Sequence, residues 1–270
     1  MTPTRTWTEH IAAWENYLRA TGSPETTIGL RTYHLTRLAR ETSTGPATLT
    51  FDELVTWLAG HDWAPNTRRA YRGSLRAFYR WATATGRVTT SPAHLLPPVR
   101  VPRGKPRPAP EAAYRLALAI ADERVRLAVL LAGQCGLRRA EIARTRTEHV
   151  EPDLLGSSLR VTGKGGHVRM VPLTDELAAL ITEHAPGWLF PSTHGGHLTP
   201  HHLGKLVTRC LPDDLTTHTL RHRCATVSYA GTRDLRAVQE LLGHAKPETT
   251  AIYVAIPDES VRAAMLAAAA

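Results

Sequence analysis

The sequence predicts a mainly α-helical protein with a small antiparallel β-sheet, built as two domains. Apolar residues recur at helical spacing through most of the chain, and one stretch changes to a period of two around glycines. A proline-rich segment also separates two regions of different charge. With 270 residues, 42% of them hydrophobic, the chain is long enough for two modest domains with cores of their own.

Four helices are predicted in residues 1–95, over residues 7–20, 25–40, 50–59 and 66–86. Thr50 stands before FDEL in an arrangement that resembles a capping box. Asn66 or Thr67 can cap the fourth helix, and Gly86 can end it. These residues therefore predict a helical domain over 1–95.

The fourth helix is predicted to have two opposed faces. At 100° per residue the apolar face holds Tyr71, Leu75, Phe78 and Trp81. The roughly opposite face holds Arg69, Arg72, Arg76 and Arg80, with Arg68 beside them. A row of arginines without acidic partners at i±4 repels itself unless it meets an anion. This favours a polyanion-binding surface over a solvated face.

The charge is unevenly divided along the chain. The net charge is +9, and residues 1–110 carry 15 basic and 7 acidic residues, whereas residues 111–270 carry 18 and 17. Residues 95–110 contain six prolines and four basic residues, so residues 96–110 are predicted to be a basic interdomain linker. Arg103 and Lys105 in this linker suit a strap along a phosphate backbone, although a solvated spacer remains the alternative.

Several classes of protein are excluded by composition. The chain contains no run of about 18 apolar residues and no apolar signal-peptide core near the start, so we expect a cytoplasmic protein that is not bound to a membrane. Its three cysteines form no CxxC pair, which argues against a disulfide framework or a zinc ribbon.

Residues 111–270 are predicted to form a second domain that ends in a C-terminal tail. A helical run begins at residue 111. Residues 155–173 then change period, with Leu159 and Val161 before TGKGG and Val168 and Met170 after it, which predicts a β-hairpin with a glycine-rich turn. Helical patterns resume from Thr174.

Four short stretches of this domain carry candidate chemistry. In GLRRAEIA, Arg138 and Glu141 are three residues apart and can pair on a helix, although an ordinary surface pair has the same spacing. Lys164 lies in the hairpin turn, as a solvated lysine or as a proton donor. In HTLRH, His218 and Arg221 share a helix face. The stretch LLGHAKPETTAIYV contains His244 and Tyr253.

Two groups of histidines invite a zinc interpretation. His218 and His222 are four residues apart, but the glutamate of an HExxH site is missing. HGGHLTPHH, residues 194–202, is rich in histidine, and its glycines and proline predict a loop before a helix that starts near His201 with Thr199 as its cap. We prefer a DNA-facing loop to a zinc site, and we predict no metal and no cofactor.

Taken in order, GLRxxE, the GKG hairpin, HxLRH and LGHxxxxTTxxY resemble the tyrosine recombinases of the phage integrase family. The resemblance covers about residues 5–260 and is strongest after residue 110. It implies a two-domain DNA clamp, with a helical SAM-like core-binding domain and a mixed α/β catalytic domain. It also implies that the arginines named above, from Arg68 to Arg80, and the basic linker residues contact DNA.

The resemblance implies the role of each catalytic residue. Tyr253 would attack a DNA phosphate and form a 3′-phosphotyrosyl link, and Lys164 would protonate the departing 5′-oxygen. Arg138 and Arg221 would clamp the phosphate oxygens. His218 would serve as acid and base, His244 would hydrogen-bond the phosphate and Glu141 would support the site.

The partners implied are double-stranded DNA and other recombinase subunits, as a homotetramer that exchanges strands through a Holliday junction, with accessory factors or a second recombinase as further possibilities. The helical pattern starts near residue 7, so we expect a simple Xer-like enzyme without an arm-binding domain, or a short integrase of a mobile element. Two alternatives remain: a type IB topoisomerase-like enzyme that relaxes DNA, and a catalytically silent DNA-binding protein.

Overall fold

The computed structural model describes residues 5–102, 106–243 and 265–266. The chain divides into two compact units, residues 1–104 and residues 105–270. Within the described residues, no helix combines the length and the apolar character that a membrane crossing requires.

The described part of the first unit contains four α-helices: α1 (Arg5–Ala20), α2 (Glu25–Glu41), α3 (Phe51–Ala59) and α4 (Pro65–Ala84). They bury a core rich in aromatic side chains, in which Trp14 meets Phe78 edge to face with ring centroids 5.4 Å apart. The predicted apolar face of α4 is confirmed, since Tyr71, Leu75 and Phe78 are all buried.

The ends of these helices follow local chemistry. Thr50 caps α3 as predicted, because its hydroxyl accepts from the Glu53 N–H and the Glu53 carboxylate accepts from the Thr50 N–H at 2.8 Å. The cap predicted for α4 was wrong: the helix starts at Pro65, before Asn66 and Thr67. Proline suits the first helical turn because its φ is fixed and its missing N–H would have no partner there.

The described part of the second unit consists of seven α-helices and one sheet. The helices are α5 (Glu111–Ile120), α6 (Glu123–Gly133), α7 (Arg139–Ala143), α8 (Asp175–Thr182), α9 (Pro200–Arg209), α10 (Thr217–Thr232) and α11 (Leu235–Leu242). The sheet contains β1 (Val150–Asp153), β2 (Gly156–Thr162) and β3 (Val168–Leu173), antiparallel in the order β1-β2-β3. The mainly helical fold with a small antiparallel sheet is thus confirmed.

The helical run predicted from residue 111 is two helices. Ala121 is extended, with ψ of 142°, and Asp122 caps α6 by accepting from the Val125 N–H at 2.8 Å. The apolar residues continue across this break because both helices pack into the same core, α5 through one face and α6 on nearly all sides.

The β2–β3 hairpin is confirmed, but β3 presents a different face to the core than its apolar residues suggest. Residues opposite each other in antiparallel strands share a face, and Val161 lies opposite Arg169. Val168 and Met170 are exposed on the other side. An arginine therefore takes an inward position on β3.

Residues 106–110 of the proline-rich segment are bound along α10. The Ala109 N–H donates to the Thr219 carbonyl at 2.9 Å, and the Arg107 N–H donates to Nδ1 of His222 at 3.2 Å. The Arg107 guanidinium also pairs with Asp214. This end of the segment is therefore tied to the second unit by hydrogen bonds, while Arg107, Pro108 and Pro110 remain exposed.

Candidate active site

A cationic groove of about 840 Å³ lies between α7, α9 and α10 in the second unit. Its charged and imidazole lining consists of Arg138, Arg139, His201, Lys205, Arg209, His218 and Arg221. Among the described residues no acidic side chain lines it. Such a groove attracts anions and suits a phosphate backbone.

Glu141 is the centre of an arginine cluster at the end of this groove. Its side chain is only 4% exposed, and it accepts from the Arg138 guanidinium at 2.7 Å and the Arg138 N–H at 2.9 Å. It also accepts from Nη1 and Nη2 of Arg169, at 3.2 and 2.9 Å. The predicted Arg138–Glu141 pair is confirmed, and its carboxylate is buried rather than at the surface.

The charges of this cluster leave a positive excess. Burial acts to raise the pKa of Glu141, but the hydrogen bonds and charge of Arg169, with the hydrogen bonds from Arg138, hold it below its ordinary value. Arg221 lies 3.9 Å from the same carboxylate. Three guanidinium groups thus surround one ionised carboxylate, so the cluster remains cationic.

Arg221 is almost completely buried at the base of the groove, with 2% of the residue exposed. Its Nη1 donates to the Gly136 carbonyl, and its Nη2 donates to the Leu242 carbonyl at 2.8 Å. These acceptors are neutral, so they fix the plane of the guanidinium without cancelling its charge. The sequence predicts that His218 and Arg221 share a helix face, and both residues line the groove from α10.

Gly136 is required where the chain turns below Arg221. Its φ is +63°, and a Cβ there would lie 2.5 Å from Cδ2 of Leu242 and 3.2 Å from Sγ of Cys224. Only glycine meets both conditions without strain. The GLR motif therefore begins with a residue that lets α11 approach the carbonyl held by Arg221.

His218 lies in the first turn of α10, where Thr216 caps the helix by accepting from the His218 N–H at 3.2 Å. Partial burial, and then the charges of Arg221, Arg138 and Arg139, lower the pKa of His218 below its usual 6.5. Its ring stands edge-on to His222, with centroids 4.2 Å apart. This lowered pKa favours the neutral imidazole, the form that can accept a proton.

The structure brings four predicted residues together: Arg138, Glu141, His218 and Arg221. The main chain of Lys164 lies in the hairpin turn, next to Gly163, whose added Cβ would be 3.6 Å from Glu141 Oε1. The side chain of Lys164 and the residues His244, Tyr253, Arg103 and Lys105 lie outside what the structure describes.

The phage integrase family model matches residues 111–260, which is more than half of the chain. The chain belongs to the phage integrase family. It is therefore a site-specific tyrosine recombinase, an enzyme that cuts and rejoins DNA, as its four motifs predict. The groove and the arginine cluster both lie within the matched residues.

Two curated relatives are similar over most of this recombinase. It is 34% identical to the tyrosine recombinase XerC of Bradyrhizobium diazoefficiens over 218 residues, which are 71% of this chain and 67% of the relative. It is 32% identical to the tyrosine recombinase XerD of Ralstonia nicotianae over 221 residues, which are 73% and 71% of the two chains.

Two solved structures share the fold of this recombinase at lower identity. A lambda integrase dimer bound to a COC′ core site matches with a TM-score of 0.76 and 19% identity, over 91% of this chain and 76% of that chain. The XerH recombinase in a post-cleavage complex with a palindromic difH substrate matches with a TM-score of 0.70 and 20% identity, over 88% and 78%.

Sequence reasoning missed Arg169, Lys205 and Arg209 in this recombinase. No pattern among the residues next to Arg169 indicates its role, because its carboxylate partner Glu141 lies 28 residues away in the sequence. Lys205 and Arg209 are four residues apart on α9, so helical spacing could have placed them on one face of the groove.

The histidines of residues 194–202 take separate positions. Thr199 caps α9 as predicted, accepting from the His202 N–H at 3.2 Å. His197 stands edge-on to Trp188, and His201 lines the groove. In the described part of the chain, no three His, Cys, Asp or Glu side chains gather in a group that could hold a metal ion.

The arginines of α4 are not equivalent, which corrects the prediction of a uniform face. Nε and Nη2 of Arg72 donate to the Leu96 carbonyl at 3.1 and 2.8 Å, and Nη1 of Arg76 donates to the His94 carbonyl at 2.7 Å. Arg68 donates to the His61 carbonyl at 3.0 Å. Arg69 and Arg80 are exposed, and neither guanidinium has a hydrogen-bond partner among the described residues. The self-repulsion expected of the row is thus relieved by carbonyl groups.

Proposed function

We propose that this recombinase cleaves DNA with Tyr253 as its nucleophile and without a metal ion. The tyrosine oxygen attacks the phosphorus, the bond to the 5′-oxygen breaks, and that oxygen leaves as a hydroxyl after it takes a proton. The 3′-phosphotyrosyl link keeps the energy of the phosphodiester, so a second 5′-hydroxyl can reverse the step without ATP.

One observation carries this proposal: Arg138, Arg221 and His218 line a single cationic groove. Negative charge spreads over the phosphate oxygens in the transition state of phosphoryl transfer. Oriented guanidinium groups stabilise this charge, because they keep their proton at every working pH and their donors fit two oxygens at once. Within the described residues Nε and Nη2 of Arg138 have no hydrogen-bond partner, which suits them to this role.

The proton transfers are assigned to three further residues. A neutral His218 accepts the tyrosine proton and returns it during religation, which its lowered pKa supports. Lys164, at the turn of the hairpin, donates a proton to the leaving 5′-oxygen. His244 donates a hydrogen bond to the phosphate, and Glu141 holds the arginines in place.

The DNA partner and the assembly are part of the same proposal. The first unit binds duplex DNA through the exposed guanidinium groups of α4, and Arg103 and Lys105 contact DNA phosphates. The lambda integrase and XerH structures that share the fold are complexes with DNA, and one lambda integrase structure is a tetramer on a Holliday junction. We assign this chain the same kind of homotetramer, or an assembly with a second recombinase, acting in DNA integration and excision or in dimer resolution.

Covalent trapping tests the proposal. Wild-type protein, Tyr253→Phe and the control Tyr229→Phe are incubated with fragmented DNA from the source organism. The DNA that stays attached to the protein after denaturation is sequenced. Sharp peaks with wild type and Tyr229→Phe, and none with Tyr253→Phe, are expected. Diffuse attachment indicates a DNA-relaxing enzyme instead. Binding without any attachment indicates a silent DNA-binding protein.

A further inference from the structure

Arg169 occupies an inward-facing position of β3. It lies opposite Val161 in the hairpin, and its side chain is 13% exposed. The neighbouring inward position of β3, Val171, is fully buried. Burying a guanidinium is costly unless it is paired and hydrogen-bonded, so its partners indicate what it does.

The partners of Arg169 come from two other elements. Nη1 and Nη2 donate to the two carboxylate oxygens of Glu141 in α7, at 3.2 and 2.9 Å. Nε donates to the carbonyl of Leu241 in the last turn of α11, at 3.1 Å. A bidentate pair fixes the plane of the guanidinium, so its third donor can point in one direction only. Arg169 thus joins β3, α7 and the end of α11.

The C-terminal end of α11 is shaped around this guanidinium. Gly243, which ends the helix, has φ of +63°, and a Cβ there would lie 2.8 Å from Cδ and 3.1 Å from Nε of Arg169. The carbonyl of Leu242 is held by Arg221 at 2.8 Å. Two arginines therefore bind successive carbonyls, where the helix has its partial negative charge.

The end of α11 directly precedes the stretch of sequence that contains the proposed nucleophile. His244 follows Gly243 directly, and Tyr253 comes ten residues after Gly243. Gly243 is thus the residue from which the stretch with the proposed nucleophile starts in the sequence.

We propose that Arg169 is a positioning residue, which holds the end of α11 against Glu141 and so fixes the starting point of the segment that carries His244 and Tyr253. It contacts carboxylate and carbonyl groups of the protein and acts through them. The inference rests on the proposed function, because it takes Tyr253 as the nucleophile.

The test compares Arg169→Met and Arg169→Lys with the control Arg160→Met. Arg160 lies in the same hairpin on the opposite face, where it pairs with Glu151 and is 41% exposed. Methionine keeps the unbranched stem of the side chain without donors, and lysine keeps the charge without the fork. Because Arg169→Met leaves a buried carboxylate with fewer partners, Arg169→Met combined with Glu141→Gln is the variant to use if the single change does not fold.

The first readout is hydrogen exchange of the free protein, which needs no DNA. Arg169→Met is expected to speed exchange at least tenfold in peptides that cover residues 238–243, with the α5 and α6 peptides unchanged. Arg160→Met is expected to leave all of these peptides as in wild type. Unchanged exchange at residues 238–243, or faster exchange throughout the second unit, overturns the inference.

The second readout uses a duplex that contains the site recovered by covalent trapping with wild type. Arg169→Met is expected to form the covalent complex at least tenfold more slowly than wild type, with a dissociation constant for DNA within twofold of wild type. The rate of Arg169→Lys is expected to lie between those of wild type and Arg169→Met. Equal cleavage, or loss of cleavage only in proportion to DNA binding, contradicts the inference. If wild type traps no DNA, the proposed function has failed, and hydrogen exchange alone decides the role of Arg169.

A sulfur-substituted substrate separates this role from one exerted through Lys164. A 5′-thiolate leaves without a proton donor, so DNA with sulfur in place of the 5′-oxygen is expected to restore cleavage by Lys164→Ala. It is expected to leave Arg169→Met slow, because the defect lies on the side of the nucleophile. Restoration of Arg169→Met to the wild-type rate shows that Arg169 acts through the hairpin lysine instead and contradicts the inference.

Discussion

Arg221 joins the groove to the end of α11, because its Nη2 donates to the carbonyl oxygen of Leu242 at 2.8 Å while Nη1 donates to Gly136. One buried side chain therefore has both a structural and an electrostatic task. Its replacement should affect both stability and cleavage.

Arg221→Lys keeps the charge but removes the planar fork that reaches both carbonyls. We expect cleavage in single turnover to fall by about 10²–10³, the usual cost of losing an oriented donor to the transition state. We also expect a lower unfolding temperature, since a buried ammonium cannot satisfy both acceptors. The control is Arg124→Lys at an exposed position of α6, which should leave both quantities unchanged. Normal cleavage by Arg221→Lys would remove Arg221 from the phosphate site.

The cleavage rate should depend on the protonation of His218. Its pKa is lowered below 6.5 by burial and by Arg221, Arg138 and Arg139, and the neutral ring is the proton acceptor. The rate is therefore expected to decline on acidification with a midpoint below pH 6.5. His218→Gln, which cannot accept the proton, should be slow and lack this decline. A wild-type rate that already drops between pH 8 and 7 contradicts a neutral His218.

Gly136→Ala should destabilise the second unit by about 2–4 kcal/mol, from the strain of a positive φ and from overpacking against Leu242. Gly196→Ala is the matched control, because its φ is +69° and nothing lies within 4 Å of the added Cβ. It should cost only the backbone strain, about 1 kcal/mol. Urea unfolding of both variants measures the difference, and equal losses would mean that the contact with Leu242 does not matter.

Two arginines of α4 should respond differently to replacement. Arg72→Met loses two hydrogen bonds to the Leu96 carbonyl and should reduce the stability of the first unit by about 1–3 kcal/mol. Arg80→Met, at an exposed position, should leave stability unchanged and lower the slope of log K against log salt for duplex DNA by about one. An unchanged salt slope for Arg80→Met excludes a phosphate contact at that position.

The stability of the first unit should depend on pH through His34. Burial, with the charge of Arg37, lowers its pKa to about 4, and its Nδ1 lies 2.8 Å from the Ser74 hydroxyl. Between pH 6.5 and about 4 the unfolded chain binds a proton that the folded ring does not. The free energy of unfolding therefore decreases by about 1.4 kcal/mol for each unit by which the pH is lowered. Above pH 6.5 the contribution is complete.

The control for this pH effect is His34→Leu combined with Ser74→Ala, which removes both partners of the hydrogen bond. It should be less sensitive to pH across the same window. Tryptophan fluorescence reports the first unit, because five of the six tryptophans precede residue 82. A double variant that loses stability with pH as steeply as wild type would assign the effect to another group.

Local spacing predicted much of the site. Arg138 and Glu141, and His218 and Arg221, are three residues apart, and a helix or its first turn brings such residues to one face. Spacing could not reveal Arg169, whose partners Glu141 and Leu241 are 28 and 72 residues away. The sequence VRMVPL also allows either face of β3 to be apolar, because Val168, Met170 and Val171 are all hydrophobic. The pairing with β2 decides between them.

The helix boundaries show a similar limit. Asp122 interrupts an apolar pattern that continues on both sides, so periodicity alone joins α5 and α6. The arginines of α4 face away from the apolar stripe as predicted, but the carbonyl acceptors of residues 94–96 belong to a stretch without regular structure. Periodicity gives the direction of a side chain on a helix and does not identify an irregular partner.

The bond between Arg221 and the last carbonyl of α11 makes the anion site and the helix end thermodynamically linked. An anion that draws Arg221 towards itself weakens its bond to Leu242, and a weaker bond leaves that carbonyl free to seek another donor. By reciprocity, any partner that stabilises the end of α11 without Arg221 raises the affinity of the groove for an anion by the same factor. A phosphate that shifts Arg221 would thus also change the terminus of a helix.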